Sequence, residues 1–222
     1  MAWPLIAATG ERFGLGKWRR QMLEGAGGRV IEVGAGAGAN FAHYPATVTE
    51  VVAVEPEPAL RRRAARAARK APVRVQVRAG NAESLPFEDG TFDTAVTSLV
   101  LCSVPDQREA LAEIRRVLRP GGELRFLEHV RARSSGLLRL QRVLDATVWP
   151  RLAGGCHLTR DTESAIKAAG FGISRIRRFS FQPCLVPAPT SLLILGTAVA
   201  GAPAPPAKRA PRRKVAGAPP TI

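Results

Sequence analysis

Strands alternating with helices along most of the chain predict an α/β protein: a Rossmann-like, doubly wound sheet of seven strands ending in a C-terminal antiparallel hairpin. Three observations carry this. The β-branched run Arg29-Val-Ile-Glu-Val33 opens directly into a glycine-rich turn. Val51-Val-Ala-Val54 is apolar at every position, as befits a strand buried on both faces of a parallel sheet. The last two strand-like runs, 173–181 and 191–200, are separated by prolines with no helical pattern between them.

The intervening elements follow in order. Residues 17–24 predict a short amphipathic helix, 57–71 an Ala/Arg-rich helix, 73–77 a third strand and 92–97 a fourth. A helix over 105–118 begins with Pro105, which a first turn accepts, and sets Leu111, Ile114, Val117 and Leu118 on one face. Arg119-Pro-Gly-Gly122 stops it before a fifth strand at 124–130. Thr159 reads as the N-cap of a helix ending at Gly170, with Asp161 and Glu163 in its first turn. The organisation is therefore an N-terminal helical or lid segment (1–27), one domain (28–200), and a tail of Ala, Pro, Gly, Lys and Arg (201–222) expected to be disordered.

At 222 residues the chain suits one domain with a sizeable core. Its net charge is +15, of which residues 203–222 supply five basic groups and no acid, leaving +10 on the rest. Aromatics are only 5% and none lies among the tail's basic residues, so bases find no stacking platform and nucleic acid is not the expected partner. Arg62, Arg66, Arg69 and Lys70 read as a solvated face. Cys102, Cys156 and Cys184 have the spacing of neither a disulfide framework nor a metal knuckle, so no metal is expected and the chain reads as cytoplasmic. Cys102 and Cys156 are expected as small buried hydrophobes. The N-terminus has no signal-peptide pattern, and the longest apolar run, 192–200, is far short of the roughly 20 residues of a membrane span.

The chemistry concentrates in Glu32-Val-Gly34-Ala-Gly36-Ala-Gly38, directly after the first strand. Glycines let the backbone turn sharply and approach a ligand with no Cβ in the way. Glu55 closes the next strand, where an acidic side chain can take both ribose hydroxyls of a nucleoside. The spacing is G-x-G-x-G rather than the dinucleotide G-x-G-x-x-G, and Glu32 stands inside the strand. A carboxylate there would repel a pyrophosphate and suits a cofactor carrying positive charge, such as S-adenosylmethionine.

Val30-Ile-Glu-Val-Gly-Ala-Gly-Ala-Gly-Ala-Asn-Phe41 resembles the first motif of class I S-adenosylmethionine-dependent methyltransferases, and Val52-Ala-Val-Glu55-Pro their acidic second motif. Gly80-Asn-Ala-Glu-Ser-Leu-Pro-Phe87, Gly90-Thr-Phe-Asp93 and Leu111-Ala-Glu-Ile-Arg-Arg-Val-Leu-Arg-Pro-Gly-Gly122 are similar to stretches of the methyltransferase 11-type branch. Within it, Gly38-Ala-Asn-Phe41, Ser98-Leu-Val-Leu-Cys-Ser-Val104, Glu128-His-Val130 and Cys156-His-Leu-Thr-Arg160 resemble the mammalian methyltransferase-like 7 thiol methyltransferases. The resemblance implies cofactor contacts at Glu32, Gly34, Ala35, Gly36, Gly38, Asn40, Phe41, Glu55, Pro56, Asn81, Ala82, Ser98 and Leu99. The glycines would cradle the methionine portion, Glu32 orient its amino group, Glu55 hold the ribose, Asn81 and Ala82 border the adenine, and Ser98 and Leu99 line the wall near the methyl. Asn81 stands where the branch commonly has Asp; its amide carbonyl can still accept from an adenine amino group. The N-terminus does not match the membrane anchor of the mammalian members, so at most peripheral membrane contact is expected.

Methyl transfer from a sulfonium releases a neutral thioether, so alignment and water exclusion matter more than an elaborate catalytic set. Ionising an unshifted thiol at pH 7 costs roughly 2 kcal/mol and a phenol roughly 4. The expected acceptor is therefore a small molecule, a thiol first, with a phenol or quinol or nucleic acid as alternatives. Candidate bases are few. His129 ends the fifth strand, on the side where such sheets bind ligands, and His157 follows Cys156; His43 reads as a surface or capping residue.

Overall fold

The computed structural model describes residues 14–181 and 191–201. Cys184, residues 1–13 of the expected lid segment, and all of the expected tail after Gly201 lie outside them. The sheet grows outward from β1 (Gly28–Val33), which pairs in parallel with β2 (Val48–Val54) on one side and β4 (Phe92–Ser98) on the other. β3 (Val75–Arg78) adds to β2, and β5 (Leu118–His129) to β4, both in parallel. β7 (Leu192–Ala200) lies antiparallel between β5 and β6 (Phe171–Ser180), giving the order β3-β2-β1-β4-β5-β7-β6. This is the doubly wound, seven-stranded sheet with an antiparallel end that the pattern predicts.

The all-apolar strands are explained by burial on both faces. Ile31, Val33, Val52 and Val54 face one core, shared with Leu111, Ile114 and Val117 of α3 (Gln107–Val117) and Ile166 of α6 (Thr162–Ala168). Val30, Val51 and Ala53 face the other, packed against Leu15, Met22 and Leu23 of α1 (Leu15–Leu23) and Ala64 of α2 (Pro58–Ala68). Each fully buried Val, Leu, Ile or Met among them contributes roughly 1.5–3 kcal/mol. Arg62, Arg66, Arg69 and Lys70 are exposed, as a solvated face should be.

Several local expectations change. Asp161, not Thr159, caps α6, its carboxylate accepting from the Ser164 N–H. Thr159 instead donates to Asp145 at 2.6 Å. Asp106 caps α3 by accepting from Arg108 and Glu109, so the helix starts after Pro105. After the glycine turn there is a single 3-10 turn, Phe41–His43, and no longer helix. Two helices had no predicted counterpart: α4 (Ser135–Ala146) and the one-turn α5 (Trp149–Leu152). Among the described residues no helix is long and apolar enough to cross a membrane.

Strand order reverses between β1 and β4, so the helices and loops leaving their carboxyl ends diverge and open a crevice there. The glycine turn, Glu55 and Leu99 all sit at that edge.

Candidate active site

The glycine turn is shaped by what surrounds it. Gly34 has φ +69°, and a Cβ there would come within 2.6 Å of the Val100 side chain. Gly38 has φ +84°, and its Cβ would meet the Phe41 ring at 2.6 Å. Both positions demand glycine for conformation and for space. Gly36 differs: a Cβ there would meet nothing within 4 Å, so the middle of the turn faces open room. The Gly36 N–H donates to the Glu55 carboxylate at 2.8 Å, and the Glu57 N–H donates to its other oxygen at 2.9 Å. Glu55 is thus fixed at the end of β2, across the turn. Ala35 is buried and Pro56 exposed.

Behind the turn lies a buried polar network. Glu32 is 1% exposed and accepts from Asn40 Nδ2 at 2.9 Å and Tyr44 Oη at 2.6 Å. Burial pushes its carboxyl up to about 7, against those two bonds and the Arg19 charge, which pull it down. The Tyr44 hydroxyl is driven well above its usual range by burial and by the Glu32 charge. Arg19, from α1, donates from one nitrogen to Asn40 Oδ1 at 2.7 Å and to Ser98 Oγ at 2.9 Å, tying the N-terminal helix to β4. Phe41 packs in the core beside this network.

At the carboxyl end of β4, Leu99 holds φ 60°, a left-handed conformation costly for a branched side chain. Two successive backbone N–H groups hold it. The Leu99 N–H donates to Leu127 O at 2.8 Å, and the Val100 N–H donates to both oxygens of buried Glu128 at 3.0 and 3.2 Å. Burial raises Glu128 to about 7, against the Leu101 and Val100 N–H groups that lower it. Glycine loop, Glu55 and the Leu99 wall therefore meet at the switch point. Gly80 lies against Val54, which brings exposed Asn81 and buried Ala82 to the rim beside Glu55.

The two histidines are placed differently. His129 ends β5 with Nδ1 3.7 Å from Cys102 Sγ and 3.6 Å from Cys156 Sγ. Its pKa is raised: burial alone lowers it, but the Cys102 bond and the Cys102 and Glu128 charges outweigh that. Cys102 is pushed well above the thiol range, first by its bond with Cys156, and the same bond lowers Cys156. His157 meets this cluster through its backbone, its N–H donating to Cys102 O at 2.8 Å. His43 lies beside Gly16 of α1, away from the cysteine cluster.

Sequence reasoning gave no role to Arg19 or Glu128. Arg19 carries no local signal, since its partners are far along the chain. Glu128 had one: an acid inside an otherwise apolar strand end, which must find donors when buried.

An open-faced glycine turn, a fixed carboxylate at the next strand end, and a second buried carboxylate beneath the turn line a crevice at the switch point of a Rossmann-like sheet, an arrangement that suits a methyltransferase cofactor. The comparisons agree. Residues 31–126 match the methyltransferase domain family. The chain is 37% identical over 183 residues to human thiol S-methyltransferase TMT1B, covering 80% of this chain and 73% of that protein. It is 38% identical over 146 residues to the rat TMT1B, covering 64% of this chain and 59% of the relative. Geranyl diphosphate methyltransferase, solved with S-adenosylmethionine, shares the fold at TM-score 0.64 and 17% identity, over 84% of each chain. The chain belongs to the S-adenosylmethionine-dependent methyltransferases, in the branch that includes the thiol S-methyltransferases.

The residues fit that cofactor. The open room at Gly36 admits a backbone-hugging chain, and the two carboxylates, Glu32 and Glu55, suit a cationic nucleoside.

Proposed function

We propose that the chain methylates a small-molecule thiol, with a cytoplasmic location supported by the unpaired Cys102 and Cys156. The observation that carries this reading is the likeness to human thiol S-methyltransferase over 183 residues. The chemistry supports it. Ionising a thiol at pH 7 costs roughly 2 kcal/mol less than ionising a phenol. A site with one imidazole at the end of β5 can meet the smaller demand.

The bound cofactor supplies an electrophilic methyl on a sulfonium. In this reading Gly34, Ala35, Gly36 and Gly38 leave room for its methionine portion, and Glu32, with Asn40 and Phe41 packed beside it, sets the charge that draws its amino group. Glu55 takes the ribose hydroxyls, Pro56 shapes the turn after it, and Asn81 and Ala82 border the adenine. Ser98 and Leu99 line the methyl's side, Leu99 held in place through Val100 and Glu128. His129 is the acceptor-side base: Nδ1 faces the two sulfurs, which leaves Nε2 for the acceptor. His157 is the second candidate. α1 is tied to the cleft side through Arg19, which bonds Asn40 and Ser98.

Incubating the protein with methyl-labelled S-adenosylmethionine and a panel of thiols, phenols, quinols and RNA tests this. Labelled thioethers at rates well above the other products are expected. Transfer confined to phenols, quinols or RNA overturns the thiol assignment.

A further inference from the structure

Cys102, His129 and Cys156 come from three separate places: the loop after β4, the end of β5, and the loop after α5. Their ligand atoms nonetheless lie within 4.8 Å of one another. We propose that these three side chains form a binding site for a divalent cation of the zinc class, supplying three protein ligands among the described residues.

The distances fit. A tetrahedral ion with Zn–S of about 2.3 Å and Zn–N of about 2.0 Å sets S···N separations of about 3.6 Å. The two observed separations are 3.6 and 3.7 Å. Hydrogen bonds link the sulfurs to their neighbours, Cys102 to Cys156 and to Ser103 Oγ at 3.5 Å, but leave the convergence of both sulfurs on Nδ1 to be explained. Nδ1 carries one proton or one lone pair, so it can serve one sulfur, whereas both converge on it. A cation serves both at once.

The surroundings fit too. Both sulfurs sit in an apolar cluster with Ala153 and Leu158, flanked by Leu144 and Trp149. Two thiolates cancel a divalent charge, so the filled site would be neutral, which an apolar pocket tolerates. The buried indole N–H of Trp149 lies beside Cys156, where a thiolate would receive it. Two soft sulfurs and an imidazole select zinc-like ions over magnesium or calcium.

The scaffold is held before any ion arrives. Asp145 accepts from the Leu158 and Thr159 N–H groups at 2.8 and 2.9 Å, and the His157 N–H joins the Cys156 loop to Cys102. The site goes beyond the methyl-transfer reading and does not rest on it. With an ion on Nδ1 the ring proton stays on Nε2, so the base role proposed for His129 belongs to the metal-free state, in which Nδ1 carries the proton.

The test uses the full chain, stripped with a chelator and titrated with zinc or cobalt(II) alone. One ion per chain is expected, with cobalt showing thiolate charge-transfer absorption and the intense visible bands of tetrahedral geometry. Cys102→Ser, Cys156→Ser and His129→Gln should each weaken zinc binding more than about hundredfold, with circular dichroism unchanged. Cys184→Ser should leave it unaltered. The proposal is overturned by a well-folded full chain that takes up no zinc, by Cys102 and Cys156 found disulfide-linked without metal, or by equal loss in the Cys184 variant. Metal uptake is read without methyl acceptor or cofactor, so it fails or succeeds separately from the thiol assay.

Discussion

Replacing Glu32 with Gln should remove a specific pH dependence of stability. A carboxyl whose pKa is higher in the folded chain holds its proton more tightly there than in the unfolded chain. Its stabilising contribution is full below the unfolded value and is lost as pH rises through the folded one. For Glu32 those values are 4.5 and about 7. Between pH 5 and 8 the folded chain should therefore lose roughly 2–3 kcal/mol that a glutamine cannot lose. For a domain of this size that is about 5–10 °C in melting temperature. The assay is thermal unfolding of both proteins, without cofactor, across that pH range. The variant's absolute stability will be offset, because a Gln amide cannot accept from both Asn40 and Tyr44 as the carboxylate does. That offset is constant, and the signal is the change in the difference with pH. Parallel curves would refute the claim that burial outweighs Asn40, Tyr44 and Arg19 at this carboxyl.

Removing Arg19 takes away a charge that lowers the Glu32 pKa, so in Arg19→Ala the same transition should move to higher pH. It should not move in an exposed control such as Arg66→Ala. Glu55→Ala should weaken S-adenosylmethionine binding at least about tenfold, since two charge-assisted hydrogen bonds are lost; unchanged affinity by calorimetry removes the ribose role. Gly34→Ala combines a left-handed backbone with a Cβ 2.6 Å from Val100. It should cost roughly 2–4 kcal/mol by denaturant titration and weaken cofactor binding. A fully stable Gly34→Ala protein would mean that β4's end shifts freely, against the fixed Leu99 wall.

The parallel half of the sheet was legible because its strands are buried on both faces, and 51–54 can hardly be read another way. The glycine turn and Glu55 were legible because their spacing is set by one strand-turn-strand unit. α4 and α5 were missed for a matching reason. Leu140, Val143, Val148 and Leu152 are exposed, so the apolar pattern along that stretch does not trace a buried face. The cap moved from Thr159 to Asp161 because Asp145, a distant residue, claims Thr159. Arg19 and the Cys102–His129–Cys156 cluster likewise depend on contacts between separate parts of the chain, where local spacing is silent.

The placement of β7 has a consequence for synthesis. Every other described strand is made before it, yet it supplies the neighbour of β5 and the one strand paired with β6 among the described residues. Until residues 192–200 leave the ribosome, β5 presents a bare row of backbone donors and acceptors, and the arginine-bearing β6 has no strand to pair with. Nascent chains halted just short of that stretch should consequently be the ones most prone to clump or to recruit chaperones.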